Sequence, residues 1–134
     1  MTMQAHSYQS LLDTSRRVNW RIEDIIGGDK RLDFSKPFLP ETFVRSAPLG
    51  FLSPRERLLL NHIRAHGYLS MFGLVEEFIL PFIQVRARSP SELQPFRSPA
   101  LEQFAAEEAK HIELFRRFCA EFRSGFATPC AFIG

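Results

Sequence analysis

The pattern of residues points to an all-α fold built on a long antiparallel helical hairpin, on three grounds. Two segments, one beginning near Ser53 and one near Ser98, keep apolar residues at steps of three and four for long enough to make major helices. Each opens on a serine followed by a proline, a capping hydroxyl before a residue whose fixed φ suits the first helical turn. No persuasive strand alternation, internal repeat or low-complexity tract competes with them. Residues 53–134 are therefore expected to form the hairpin, and residues 1–52 an N-terminal wrapping arm.

The arm shows short helical patterns around Tyr8 to Arg17 and Asn19 to Ile26, broken by Gly27-Gly28 and then by Pro37, Pro40 and Pro48. Gly27-Gly28-Asp29-Lys30 lacks both the Gly-Lys-Ser/Thr ending and the preceding strand of a phosphate loop, so it reads as a turn.

The first long helix starts at Ser53-Pro54-Arg55-Glu56, where Ser53 can cap and Glu56 stands where a capping-box acid reaches back. Its inner face runs through His62, His66, Leu69, Gly73, Glu76, Leu80 and Ile83, with Phe72 and Ile79 alongside. Pro81 lacks an amide hydrogen and crowds the carbonyl of Glu77, and is expected to kink or end the helix. Tyr68 to Val85 approaches membrane-spanning length, but adjacent acids at Glu76 and Glu77 favour a buried bundle helix.

A loop with Pro90 and Pro95 follows from Ala87 to Ser98. The second helix is expected from there to about Arg123, with an inner stripe of Leu101, Phe104, Glu108, His111, Phe115, Phe118 and Phe122, and with Gly125 as its stop. Cys119 falls off that stripe.

Composition narrows the function. Seventeen basic and fifteen acidic residues are interspersed, so nothing asks for nucleic acid or an anionic membrane. Fourteen Phe make a core of large rings that suits a dry cavity as well as plain packing. Cys119 and Cys130 lack CxxC spacing and no secretory signal precedes them, which reads as free thiols in a cytoplasmic protein. No Ser-His-Asp or Cys-His nucleophile arrangement is present.

The chemistry concentrates in Glu108-Ala109-Lys110-His111. A carboxylate and an imidazole three residues apart share one side of a helix, and this is the ligand pattern of a carboxylate-bridged di-iron site inside a helical bundle. Glu76 lies ten residues before Arg86 and Glu108 nine after Pro99. At ~1.5 Å of rise per residue, both carboxylates sit roughly 14 to 15 Å from the turn, at one level. Glu76, Glu108 and His111 are thus the candidate metal ligands, with Glu77 the rival for the Glu76 role. The competing reading makes Glu107, Glu108 and Lys110 a solvated edge. His62 and His66 are one turn apart but His66 is ~15 Å from Glu76 by helix rise, so they read as core or surface histidines.

The block from Phe51 to Ile83, especially Leu52-Ser53-Pro54, Tyr68 and Phe72-Gly73-Leu74-Val75-Glu76-Glu77-Phe78-Ile79, resembles the ferritin-like di-iron oxygenases typified by para-aminobenzoate N-oxygenase. Glu107-Glu108-Ala109-Lys110-His111 looks like that family's acid-Glu-x-x-His motif, and Gly125-Phe126-Ala127-Thr128-Pro129-Cys130 is also similar, so the likeness spans most of residues 18–134.

The resemblance implies half of a ferritin-like four-helix bundle, two iron ions, and Glu76, Glu108 and His111 as the ligands that this chain supplies. It implies dioxygen-dependent oxidation of a small organic substrate, an aryl amine being the family's suggestion. The family's later Glu and His ligands would fall beyond Gly134. Completion is then expected either from a C-terminal half or from a homodimer that pools four Glu and two His. An inactive helical interaction module and a ferritin-like iron-oxidising protein are the alternatives.

Overall fold

The computed structural model describes residues 7–128, which form four α-helices and, among the described residues, no strand. The fold is all-α. Helix α1 (Tyr8–Arg17) is closed at its start by a reciprocal capping box between Ser7 and Ser10 and buries Leu12. The helical pattern after it yields only a 3₁₀ turn at Ile22–Asp24. Gly27 and Gly28 follow with φ of 119° and 62°, and Gly27 and Lys30 exchange backbone hydrogen bonds of 3.0 Å, which makes the segment the expected turn. Helix α2 (Glu41–Val44) is a single turn.

Helix α3 (Pro54–Ala87) starts where expected, with Ser53 and Glu56 completing the capping box. Pro81 does not end it. The lost hydrogen bond costs about 3 kcal/mol in a helix interior. The last turn is nonetheless held, because Ala87 is buried where α3 meets Ala105 of the next helix.

Helix α4 (Arg97–Phe126) returns antiparallel to α3: Leu69 packs near Cys119 and Phe122 at one end, and Ala87 lies beside Ala105 at the other. Its start differs from the Ser98 cap. Phe96 takes the N-cap position without a side-chain bond, the Ser98 hydroxyl is buried without a partner, and Arg97 instead donates to the carbonyl of Ser89 at 2.6 Å. Gly125 does not stop the helix either; Ala127 does, in the left-handed conformation with φ 52°. Gly125 lies within the last turn, and its missing side chain leaves room for the Phe34 ring, which a Cβ there would overlap.

The core explains why Cys119 is buried although it stands off the phenylalanine stripe. Helix α4 has two neighbours, so its apolar surface is divided. Ala105, Ile112 and Cys119, spaced by sevens, are buried, and Cys119 Sγ lies 3.5 Å from Ser70 Oγ of α3. Phe118 and Phe122 meet the arm, where Phe38 packs edge-on to both at 5.4 and 5.3 Å and Phe34 to Phe122 at 5.9 Å. Polar groups buried on α3 tie the arm down further. Asn61 accepts from the amides of Phe38 and Leu39 and donates to the Leu39 carbonyl, at 2.7 to 3.0 Å, and His62 Nε2 donates to the Lys36 carbonyl at 2.8 Å.

The far half of α3 departs from the expectation of a buried bundle helix. No residue from 70 to 86 is buried, and Met71, Phe72, Leu74, Val75, Phe78, Phe82 and Val85 are exposed. By length and composition α3 is long and apolar enough to cross a membrane. The arm covers α4 and the opposite end of α3, and so leaves this surface bare.

Candidate metal centre

Glu76 comes from the middle of α3, and Glu108 and His111 from successive turns of α4. The antiparallel register brings one donor atom of each within 4.8 Å of the others, the one such His/Cys/Asp/Glu group among the described residues. His111 Nδ1 is 3.5 Å from Glu108 Oε2 and 3.9 Å from Glu76 Oε1. A hard cation held at about 2.1 Å from octahedral donors has them roughly 3 to 4.2 Å apart, so small side-chain rotations close the set around an ion.

Burial gives the cluster its electrostatic character. The Glu108 side chain is 7% exposed, Glu76 20% and His111 37%. Glu76 Oε2 is fully buried without a hydrogen-bond partner, a costly state for a carboxylate oxygen. Two adjacent carboxylates face one imidazole. A divalent cation there would balance the two carboxylates, and bidentate binding by Glu76 would give its orphan oxygen a partner.

Glu77 points elsewhere. Its carboxylate accepts from Arg116 at 2.7 Å on an exposed edge, so of the two adjacent acids Glu76 is the one beside His111. His62 and His66 lie in the aromatic core around Phe122, away from the triad.

The residues that sequence reasoning missed belong to the arm. Trp20 stacks on one side of the His111 ring, with centroids 5.7 Å apart and planes 15° from parallel, and Phe115 stacks on it as well at 6.2 Å and 24°. The Trp20 indole N–H donates to Glu107 at 2.8 Å, while Lys110 bridges Glu107, the Asn19 side chain and the Trp20 carbonyl at 2.9 to 3.3 Å. Glu107 and Lys110, legible in sequence only as a charged edge, thus dock the arm beside the Glu108–His111 turn and restrict the imidazole's rotation. The one available signal was a lone tryptophan in the arm. Next to this clamp, Tyr8, Leu11 and Leu12 of α1 and Leu101, Phe104 and Glu107 of α4 line a half-open cavity of about 370 Å³. Its size lies within the range of small-molecule pockets.

No family model matches this chain, and no curated protein or solved structure matches it.

Proposed function

We propose that this chain provides half of a carboxylate-bridged di-iron centre in a ferritin-like bundle, and that the completed centre oxidises a small organic substrate with dioxygen. The observation that carries this reading is the pairing of two largely buried carboxylates with one imidazole, one carboxylate oxygen having no other partner. Glu76 would serve as a terminal ligand, Glu108 as a ligand able to bridge two ions, and His111 as a nitrogen donor through Nδ1. Iron, when bound, supplies dioxygen activation and electron transfer that no side chain here offers.

The chain's own residues do the positioning. Trp20 and Phe115 hold the imidazole plane, and the Glu107 carboxylate fixes Trp20. The α1–α4 cavity, walled by Leu11, Leu101 and Phe104 with Glu107 at its polar edge, suits a flat apolar molecule bearing one hydrogen-bond donor, a description that an aryl amine fits. The likeness of the Glu76 and Glu108–His111 blocks to the N-oxygenase type supports the same substrate class.

The test is anaerobic Fe(II) loading of the full chain, followed by metal analysis and then dioxygen with an aniline-class amine. Iron bound by the parent and lost in Glu108→Ala and His111→Ala, with helical content unchanged, supports the centre. Unchanged iron content in both folded variants overturns it. Iron oxidation without an oxygenated amine would place the chain among iron-oxidising proteins. A second reading, a helical interaction module, rests on the bare surface of α3 and predicts no specific iron.

A further inference from the structure

We infer that the open side of the α3–α4 pair is an interface for a second copy of this chain, and that the two copies bring their Glu76–Glu108–His111 clusters together into one six-ligand, two-metal centre. This rests on the metal reading above and names what completes it.

The stripe beside the cluster carries the inference. Phe72, Val75, Ile79 and Phe82 follow one another on α3 at steps of three and four, the spacing of one side of an interhelical seam, and Glu76 stands next to that stripe. Phe72, Val75 and Phe82 are each about half exposed or more, as are Met71 and Phe78 on their flank. At ~200 Å² for a large side chain, these five leave roughly 550 Å² of apolar surface bare. With a polar rim this approaches the ~800 Å² per partner of a stable protein interface. Bare surface of that extent on one helix face marks a contact surface.

Three features select a second copy as the occupant. A seam of this kind is self-complementary when two α3 helices run antiparallel about a two-fold axis level with Glu76 and Ile79. That axis sets cluster against cluster, and it does so on the side where His111 is still partly open and where Glu76 Oε2 has no partner within the chain. The arm leaves most of the stripe clear: α1 and Trp20 lie against α4, and Phe43 of α2 meets α3 at Tyr68, one turn before Phe72. A lipid surface fits less well: the Glu76 carboxylate flanks the stripe midway along its length, and a charge at that depth is costly in hydrocarbon.

The experiment uses the full chain. Sedimentation equilibrium of the parent, Val75→Glu, Phe82→Glu and Glu108→Ala is combined with Fe(II) titration, and circular dichroism checks that helix content is kept. The expected result is a two-copy mass for the parent and for Glu108→Ala, and a one-copy mass for the two seam variants. Fe(II) affinity in the seam variants should fall by about tenfold or more although every ligand is intact, the scale on which support around a metal site acts. A parent that stays single-copy while binding iron through Glu108 overturns the interface and leaves the metal reading standing. A two-copy parent whose iron binding ignores Glu108→Ala overturns the shared centre together with the metal reading. A single-copy parent that partitions onto phosphatidylcholine vesicles assigns the stripe to lipid and overturns the inference.

Discussion

The Trp20 indole lies nearly parallel to the His111 imidazole, 5.7 Å away between centroids, although ninety-one positions separate the two in the chain. The arm therefore supplies one wall of a candidate site whose proposed ligand atoms all come from the hairpin. Because Trp20 is the one tryptophan in the protein, its fluorescence reports on that wall. Binding of Co(II), a paramagnetic stand-in for iron, is expected to quench it. Trp20→Ala, which removes both the stacking and the bond to Glu107, should weaken Co(II) affinity by about tenfold, as loss of a group that orients a ligating histidine does. Trp20→Phe keeps the stacking and should lose less. Equal affinity in all three proteins by Co(II) absorption titration would rule out a positioning role.

Glu76 and Glu77 are neighbours with opposite surroundings. Glu76→Gln is expected to lower Fe(II) affinity strongly, because it neutralises a largely buried donor beside His111. Glu77→Gln breaks an exposed ion pair with Arg116 and should leave affinity unchanged, at a stability cost of ~0 to 1 kcal/mol. Parallel iron titrations and urea melts of the two variants check both statements. The reverse pattern would hand the ligand role to Glu77.

Gly125 separates helix propensity from packing. In an exposed helix interior, alanine is better than glycine by about 1 kcal/mol. Here the added Cβ would overlap the Phe34 ring, and overpacking of this kind costs about 1 to 3 kcal/mol. Gly125→Ala should therefore destabilise the protein in urea denaturation. A gain in stability would show that Phe34 moves aside freely.

Asn61 holds the arm through three hydrogen bonds to Phe38 and Leu39, and is itself buried. Asn61→Ala leaves two amides and a carbonyl without these partners, at a cost of about 2 to 3 kcal/mol. Hydrogen exchange should show the Phe38 and Leu39 amides losing protection first.

His66 makes stability depend on pH. Burial between Phe122 and Phe126, reinforced by the positive charge of Arg123, holds its imidazole below the ordinary value of 6.5, and Nε2 has no partner. The unfolded chain therefore takes up this proton first. Stability from this group is full above pH 6.5 and declines as pH falls through 6.5 toward the lower folded value. Urea midpoints are expected to drop across that interval for the parent and to stay flat there for His66→Phe. Carboxylates such as Glu41 and Glu56, held below their ordinary 4.5 by hydrogen bonds, act only at lower pH.

Short-range geometry accounts for everything that could be read from the residues alone. A period of three and four, the Ser53–Glu56 capping box and the one-turn spacing of Glu108 and His111 act over a few residues, and place helices and side-chain directions before any packing exists. Counting residues from the loop added the common depth of Glu76 and Glu108, since helical rise is nearly constant. The remaining features arise from long-range packing. Trp20 reaches Glu107 and His111, Phe34 fills the space at Gly125, and Cys119 is buried, because the arm docks on α4 and divides its apolar surface between two neighbours. No local spacing encodes such contacts. They depend on which of several apolar faces meets another across scores of residues, and that choice also left the Phe72–Phe82 stripe of α3 uncovered.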